Sequence, residues 1–458
     1  MENRTICDEK LIRDAADRAN AFLAALPERR VGGEPLAVER LARFLAEPLP
    51  DDGVPPQEIL ADLDHYGSPA TVASPGPRFF GFVNGGALPA SLAAHWLASA
   101  WDQNAFSAAS SPAGAAIEEA ALVWLRDLFG LPASTEAAFT TGATLANFSA
   151  LAAARHRLLA RAGWNVEADG LFGAPPIDVY VSEESHPTVR KSLGLLGMGR
   201  ERLRVLPTGA QGRVRADALP RFGPATIVCA QAGNVNSGAF DPFPALVDAC
   251  AKEGAWLHVD GAFGLWALAS PRLRSLAEGI EGADSWATDG HKWLNVPYDC
   301  GIAFVRDAEA LRAAMSFTAA YLPTEGAREP FHTTPESSRR PRGVEVWAAL
   351  RSLGRNGVAA MIEAGCAHAT RFAEALASAG YEILNEVELN QVVVSFGSDE
   401  QNDAIVRAIQ EDGTCWCGPT EWRGRRAMRI SVSCWATEAE DVERSLDAIL
   451  ACAARVLA

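Results

Sequence analysis

Residues 255–305 read AWLHVDGAFGLWALASPRLRSLAEGIEGADSWATDGHKWLNVPYDCGIAFV, and their reading decides the fold. Two buried-strand patterns lie here. Trp256 to Val259 is apolar and ends in Asp260; Gly301 to Val305 follows a loop that carries Asp289, Gly290, His291 and Lys292. Of forty-one basic side chains only four are lysine, at 10, 191, 252 and 292. A chain so biased to arginine that keeps a lysine between His291 and Trp293 points to an amine that must lose its proton and attack a carbonyl, which a guanidinium cannot do. A strand-end carboxylate upstream of such a lysine suggests pyridoxal phosphate chemistry. The lysine holds the aldehyde as a Schiff base, and the carboxylate keeps the pyridine nitrogen protonated.

Simpler readings stand beside this one. Lys292 alone is a snorkelling surface lysine, and Asp260 alone caps a turn. A metal site from His258, Asp260 and His291 is a third reading, but it gives Lys292 no role. The joint occurrence of Asp260, His291 and Lys292 with small residues at Gly261, Ala262 and Gly264 favours the Schiff base.

Upstream, from Ala137, short apolar strands alternate with helices, the pattern of a parallel sheet with crossover helices. The strand AAFT meets Thr141-Gly142-Ala143-Thr144, and a helix begins at once. A small-residue turn opening a helix presents free N–H groups and a helix dipole to an anion, although many such turns only cap. The strand Ile177 to Val181 leads to His186, just before Pro187. His186 reads either as an N-cap or, at the carboxyl end of a strand, as a ring that stacks on a ligand. A strand at Ala225 to Ala230 leads to GNVNSG, where Asn234 and Asn236 either donate to a ring hydroxyl or shape the turn.

Helices are expected over residues 7 to 46 (two, the second Pro35 to Leu45), near Gln57 to Leu63, and at Pro89 to Trp101 and Ala113 to Phe129. The loop SPGPRFFGFVNGG (74–86) carries Phe79, Phe80 and Phe82, read as core plugs or a pocket wall. Residues 317 to 342 are polar and Pro/Gly-marked, with a lid expected at about 317–338. Beyond them come helices at Val344 to Leu353 and Val358 to Ala379, then strands and helices of a small α+β domain, with one strand around Thr414 to Trp416. The expected division is an N-terminal helical segment (1–75), a large α/β domain (76–342) and a small C-terminal α+β domain (343–458).

Composition bounds the function class. A net charge of −16 argues against nucleic acid and anionic membranes as partners. The N-terminus lacks a signal-peptide core, and no apolar run reaches the ~20 residues that span a bilayer. Nine scattered cysteines, with Cys415 and Cys417 too close for a zinc knuckle or a CxxC pair, indicate a reduced cytoplasmic protein.

The motifs in order are TTGATLAN, SEESHPTVRKS, GNVNSGAFDP, LHVDGAFG, DGHKWLNVPYDCG, SSRRPRGVEVWAALRSLG and MRISVSCWATEAEDV. Together they resemble the pyridoxal-phosphate-dependent group II amino-acid decarboxylases, over about Gly67 to Leu450. The resemblance implies the fold-type I architecture, with a mostly parallel seven-stranded sheet, and a homodimer with active sites at the subunit interface. It implies Lys292 as the Schiff-base lysine, Asp260 at the pyridine nitrogen, His186 on one ring face and Ala262 on the other. Gly142, Ala143 and Thr144, with His291, would hold the phosphate, and Phe80 and Phe82 would line the substrate pocket. Three positions depart from the family pattern. Asp289 stands where aromatic decarboxylases of the group often have Asn, and a carboxylate there repels phosphate unless it turns away or pairs with a cation. Val235 replaces a Thr that serves the ring hydroxyl, leaving Asn234 or Asn236 as substitutes. The lid's tyrosine is Tyr321, and Phe331 and His332 occupy the region of the family's catalytic loop tyrosine. Relatives with Phe there resemble aldehyde synthases.

The expected reaction is decarboxylation of an L-amino acid to amine and CO2, with His332 or Tyr321 as the acid that protonates Cα. Phe79, Phe80, Phe82 and Trp422 favour an aromatic or otherwise apolar side chain. Oxidative deamination to an aldehyde, carbon–carbon lysis, transamination, and a cofactor-free scaffold are the rival readings.

Overall fold

The computed structural model describes residues 7–316 and 328–458. Seven short strands build its main sheet: β1 (Glu136–Thr140), β2 (Asp178–Ser182), β3 (Arg204–Leu206), β4 (Thr226–Gln231), β5 (Trp256–Asp260), β6 (Ser285–Asp289) and β7 (Gly301–Val305). Their order is β1-β7-β6-β5-β4-β2-β3. β7 runs antiparallel to β1 and β6, and the remaining pairs are parallel. Strands β4 to β7 are buried along their whole length, as parallel strands covered on both faces require. This is the mostly parallel seven-stranded sheet of fold-type I.

The reading of only two strands in 255–305, with Asp289 in a loop, is corrected here, because SWATD (285–289) is a third, fully buried strand, β6. Its polar residues hide it from a hydrophobicity pattern, yet they are satisfied internally. Ser285 Oγ accepts from Trp256 Nε1 at 2.9 Å and bonds His258 Nδ1 at 2.9 Å. The other nitrogen of His258 lies 2.8 Å from Asn147 Oδ1. Both ring nitrogens of His258 are thus spent on the core, which leaves none for a metal. Burial pushes the imidazole down to about 3. An unfolded histidine titrates near 6.5, so the contribution of neutral His258 to stability is fully present above that pH. It is lost as pH falls towards 3, at about 1.4 kcal/mol per pH unit. Urea midpoints at pH 7 and pH 5 will show this loss in the wild type, and His258→Gln will flatten it.

A second, antiparallel sheet of four strands has the order β10-β11-β9-β8, with β8 Glu382–Ile383, β9 Gln391–Ser395, β10 Gly418–Trp422 and β11 Arg425–Ser431. The expected strand at Thr414 to Trp416 is instead a short partner for the loop at Phe79. Phe80 N donates to Trp416 O at 2.8 Å, and Trp416 N to Arg78 O at 3.1 Å. Residues 78–80 are thereby stitched to the small sheet.

The two helices expected after residue 343 form one element, Gly343–Ser378, broken only where Gly354 takes φ 61°. A positive φ is cheap for glycine alone. Val346 to Cys366 of this helix pack into the large core, and Ala369, Phe372 and Leu376 into the small one. The handover between cores therefore falls inside the helix. The N-terminal helices are Glu9–Ala25, Pro35–Leu45 and Pro56–Asp62. They bury almost nothing and leave Ile12, Leu36, Leu45, Ile59 and Leu63 exposed. Among the described residues no helix is long and apolar enough to cross a membrane. Eight of the nine cysteines are buried.

Candidate active site

The carboxyl ends of β4, β5 and β6 and the loop after β1 converge on a cleft of about 640 Å³. Open α/β sheets bind ligands at this edge. Asp260 ends β5 and Asp289 ends β6. Lys292 follows Asp289 by three residues, which returns its side chain to the same place, with Nζ 3.1 Å from Asp289 Oδ2. Close approaches hold the floor. A Cβ on Gly301 would collide with the backbone of Gly142, and one on Gly85 with the Lys292 carbonyl oxygen.

Asp260 is buried and accepts from Ala262 N at 3.2 Å. Burial raises its carboxyl above the ordinary value, against the opposing pull of His186 and Lys292. A cation placed against it reverses that shift. His186 caps the helix Pro187–Leu195, as its N-cap reading expects, and its residue also lines the cleft. Its Nδ1 lies 2.6 Å from Thr188 Oγ1 and accepts from Thr188 N. That contact fixes the ring plane, and burial lowers the imidazole below its ordinary value, favouring the neutral form.

Thr141, Gly142, Ala143 and Thr144 line the cleft at the N-terminus of the helix Ala143–Arg161. Asp289 sits at this helix end, where Ala143 N donates to its Oδ1 at 2.6 Å. Its other oxygen, Oδ2, is the one that faces Lys292 Nζ. His291 Nε2 approaches the same carboxylate at 3.6 Å, while its Nδ1 accepts from Cys300 N at 3.1 Å. Tyr298 stacks on His291 with ring centroids 4.4 Å apart.

Other expected site residues lie elsewhere. Phe80 is buried in the small core against Phe372 and does not line the cleft. Trp422 packs with Val393 and Ala427, also away from it. Of the aromatic residues expected in the pocket, Phe82 alone lines the cleft, at a backbone φ of 55°. Asn234 and Asn236 do not line it either. Asn234 Oδ1 accepts from the N–H groups of Asn236 and Ser237, and Asn236 Oδ1 accepts from Thr420 Oγ1. They shape the turn and dock it on the small sheet. His332 lies in a short helical turn behind Phe331 and lines no part of its own chain's cleft. Tyr321 lies outside the described residues.

Two cleft residues escaped the sequence reading. Arg429 is reached from β11, donates to Val235 O at 3.0 Å, and is lowered by burial to about 10. Its signal was an arginine between the apolar residues Ala427, Met428 and Ile430. Gln231 ends β4 and pairs in register with Asp260. Its signal was a polar residue closing an apolar strand.

The geometry has independent counterparts. The chain matches the pyridoxal-dependent decarboxylase conserved domain over residues 39–397. It is 28% identical to an aromatic-L-amino-acid decarboxylase of Bacillus atrophaeus, covering 85% of this chain and 84% of that one. It is 27% identical to a histidine decarboxylase of Drosophila melanogaster, over 97% of this chain and 55% of the other. Its fold superposes on that of the Oryza sativa TDC solved with PLP and tryptamine, at a TM-score of 0.91, 24% identity and full coverage of both chains. The chain belongs to the pyridoxal-dependent decarboxylase family, and is a carboxy-lyase that works with pyridoxal 5'-phosphate.

The residues present fit that cofactor. A lysine for the aldehyde, a buried carboxylate for a ring nitrogen and a helix N-terminus for phosphate surround one cleft. The amide of Gln231, buried at the same edge, bonds no other side chain.

Proposed function

We propose that the protein decarboxylates an L-amino acid with an aromatic or otherwise apolar side chain to the amine and CO2. The observation that carries this is the charge lining of the cleft. Among the described residues, Arg429 is its one basic side chain of the Arg/Lys type besides Lys292. A single guanidinium serves the α-carboxylate, which every substrate carries. An acidic side chain would need a second cation, whereas Phe82, Val83, Val235 and Tyr298 offer apolar surface.

The proposed roles follow. Bound pyridoxal phosphate supplies the sink for the electron pair released when the Cα–carboxylate bond breaks. Asp260 keeps a negative charge against the ring nitrogen. His186 and Ala262 flank the ring, and Gly142, Ala143, Thr144 and His291 take the phosphate. Lys292 would hold the cofactor through its aldehyde carbon. Arg429 orients the α-carboxylate. The acid that protonates Cα comes from the lid, as His332 or Tyr321. Since His332 does not line its own cleft, it can serve only from a second copy of the chain, and we place the site at a homodimer interface. The exposed apolar faces of the N-terminal helices support that assembly, as do half-exposed Trp96, Leu97 and Trp101 on the helix Pro89–Trp101. The buried, unpaired thiols favour the cytoplasm.

Incubation with single amino acids, followed by assay of CO2, amine, aldehyde and ammonia, tests the reading. Phenylalanine, tyrosine, tryptophan or leucine should give CO2 and amine in equal amounts, and glutamate or aspartate none. Aldehyde with ammonia would assign the protein to oxidative deamination instead. Turnover of glutamate alone would overturn the substrate class. Sedimentation should give twice the mass of 48.7 kDa.

A further inference from the structure

We propose that Gln231 is the positioning residue for the cofactor's 3-oxygen, in place of the turn residues at 234–236. The inference rests on the reading that Asp260 takes the ring nitrogen.

Strand order carries the argument. In pyridoxal phosphate the phosphate arm and the 3-hydroxyl flank the aldehyde on opposite sides of the ring. With the nitrogen at Asp260 on β5, the phosphate end is fixed by the helix N-terminus at Ala143, which bonds Asp289 at the end of β6. The phosphate therefore lies on the β6 side of β5, and the 3-oxygen on the β4 side. β4 ends at Gln231, directly opposite Asp260 in the register.

The other polar groups near this end are turned elsewhere. Asn234 Oδ1 and Asn236 Oδ1 are held in the turn, Ser237 Oγ donates to Gln211 O at 2.7 Å, and Val235 O accepts from Arg429. Asn234 Nδ2 is also buried without a partner among the described residues, but Asn234 does not line the cleft, whereas Gln231 does. Gln231 is 4% exposed, and its Nε2 has no hydrogen-bond partner among the described residues. Only its backbone is held, with N donating to Asp241 Oδ2. A buried amide left without a partner is costly unless a ligand satisfies it.

An N–H donor on the 3-oxygen withdraws negative charge from it. The same charge stabilises the proton on the neighbouring nitrogen of the link to Lys292. Removing the donor should hold that proton to higher pH. The test is a pH titration of the visible absorbance of the holoenzyme, with cofactor dissociation constants and the unfolding temperature of the cofactor-free protein. Gln231→Met keeps the bulk and removes the donor; Gln231→Glu keeps the shape, removes the donor and adds a negative charge. His186, Asp260, Asp289, His291, Lys292 and Arg429 face the same cleft and stay intact in both variants. Gln231→Met should raise the titration midpoint by about one pH unit and weaken cofactor binding about tenfold, the scale of one hydrogen bond to a charged group. Gln231→Glu should raise the midpoint further. The cofactor-free Gln231→Met protein should be no less stable than wild type, since no protein group loses a partner.

An unchanged midpoint and affinity, or a fall in cofactor-free stability alone, would overturn the assignment. Asp260→Asn, run alongside, separates the two readings. If it leaves the titration untouched, the ring placement fails and this inference with it. If it alters the titration and Gln231→Met does not, this inference alone fails.

Discussion

Lys292→Ala is expected to lose the covalent attachment of the cofactor and to slow decarboxylation severely, because the residue that would hold the cofactor through its aldehyde carbon is gone. Borohydride treatment followed by intact-mass measurement reads the first effect. Wild type should gain the mass of one reduced cofactor, located on Lys292, and the variant none. Lys191 and Lys252 are exposed on helices outside the cleft, and neither can take over. The variant should still bind cofactor without the covalent link, because Asp260, His186 and the helix N-terminus at Ala143 are untouched. Label on another lysine in the variant would sink the assignment. Asp289 adds a consequence. Without the ammonium 3.1 Å away, its carboxylate stands at the phosphate end uncompensated. Lys292→Ala should therefore bind cofactor more weakly than Lys292→Arg, which keeps the charge and cannot form the link.

Arg339→Leu is expected to cost about 3–5 kcal/mol of stability. Arg339 makes a two-pronged bond to Glu118, at 2.6 and 2.9 Å, and both side chains are 1% exposed. The variant leaves Glu118 charged and buried with no partner. Urea midpoints should fall accordingly, and Glu118→Met with Arg339→Met should recover most of the loss, because an apolar pair removes both desolvated charges together. A loss below about 1 kcal/mol for Arg339→Leu would place the pair in the class of surface ion pairs. The effect should reach the site. Arg340 bonds Glu345 and the Asp299 carbonyl oxygen, and Arg342 bonds Asp299 Oδ1 at 3.0 Å. Asp299 adjoins Tyr298, whose ring stacks on His291. Arg340 and Arg342, two of the three arginines after the expected lid, thus brace the loop carrying Tyr298.

Much of this was legible in the chain. Lys292, Asp260 and His186 were found because each is a chemically marked residue at the end of an apolar run, and the turn at Gly142 because small residues open a helix there. The helices Pro35–Leu45 and Pro89–Trp101 have the bounds their periodicity and flanking Pro and Gly gave. β6 was missed because its buried Ser, Thr and Asp are satisfied by neighbours in space, such as Trp256, His258, Ala262 and Ala143, which no local pattern reveals. Phe80 and Phe82 look alike in the sequence and part company in space. One backbone pairing with Trp416 turns Phe80 into the small core, and a positive φ turns Phe82 to the cleft.

The sequence by itself determined the strand–helix alternation and the identity of the central lysine, carboxylate and imidazole. These depend on side-chain chemistry and local periodicity, which are written along the chain. The tertiary structure alone decided which polar groups are spent and which are left open. Asn234 and Asn236 turn their amide oxygens into the turn and the small sheet, while Gln231 and Arg429 reach the cleft, Gln231 because β4 lies beside β5 and Arg429 from β11 of the small sheet. Hydrogen-bond saturation is a property of neighbours in space, and these neighbours are brought together only by the folded sheet.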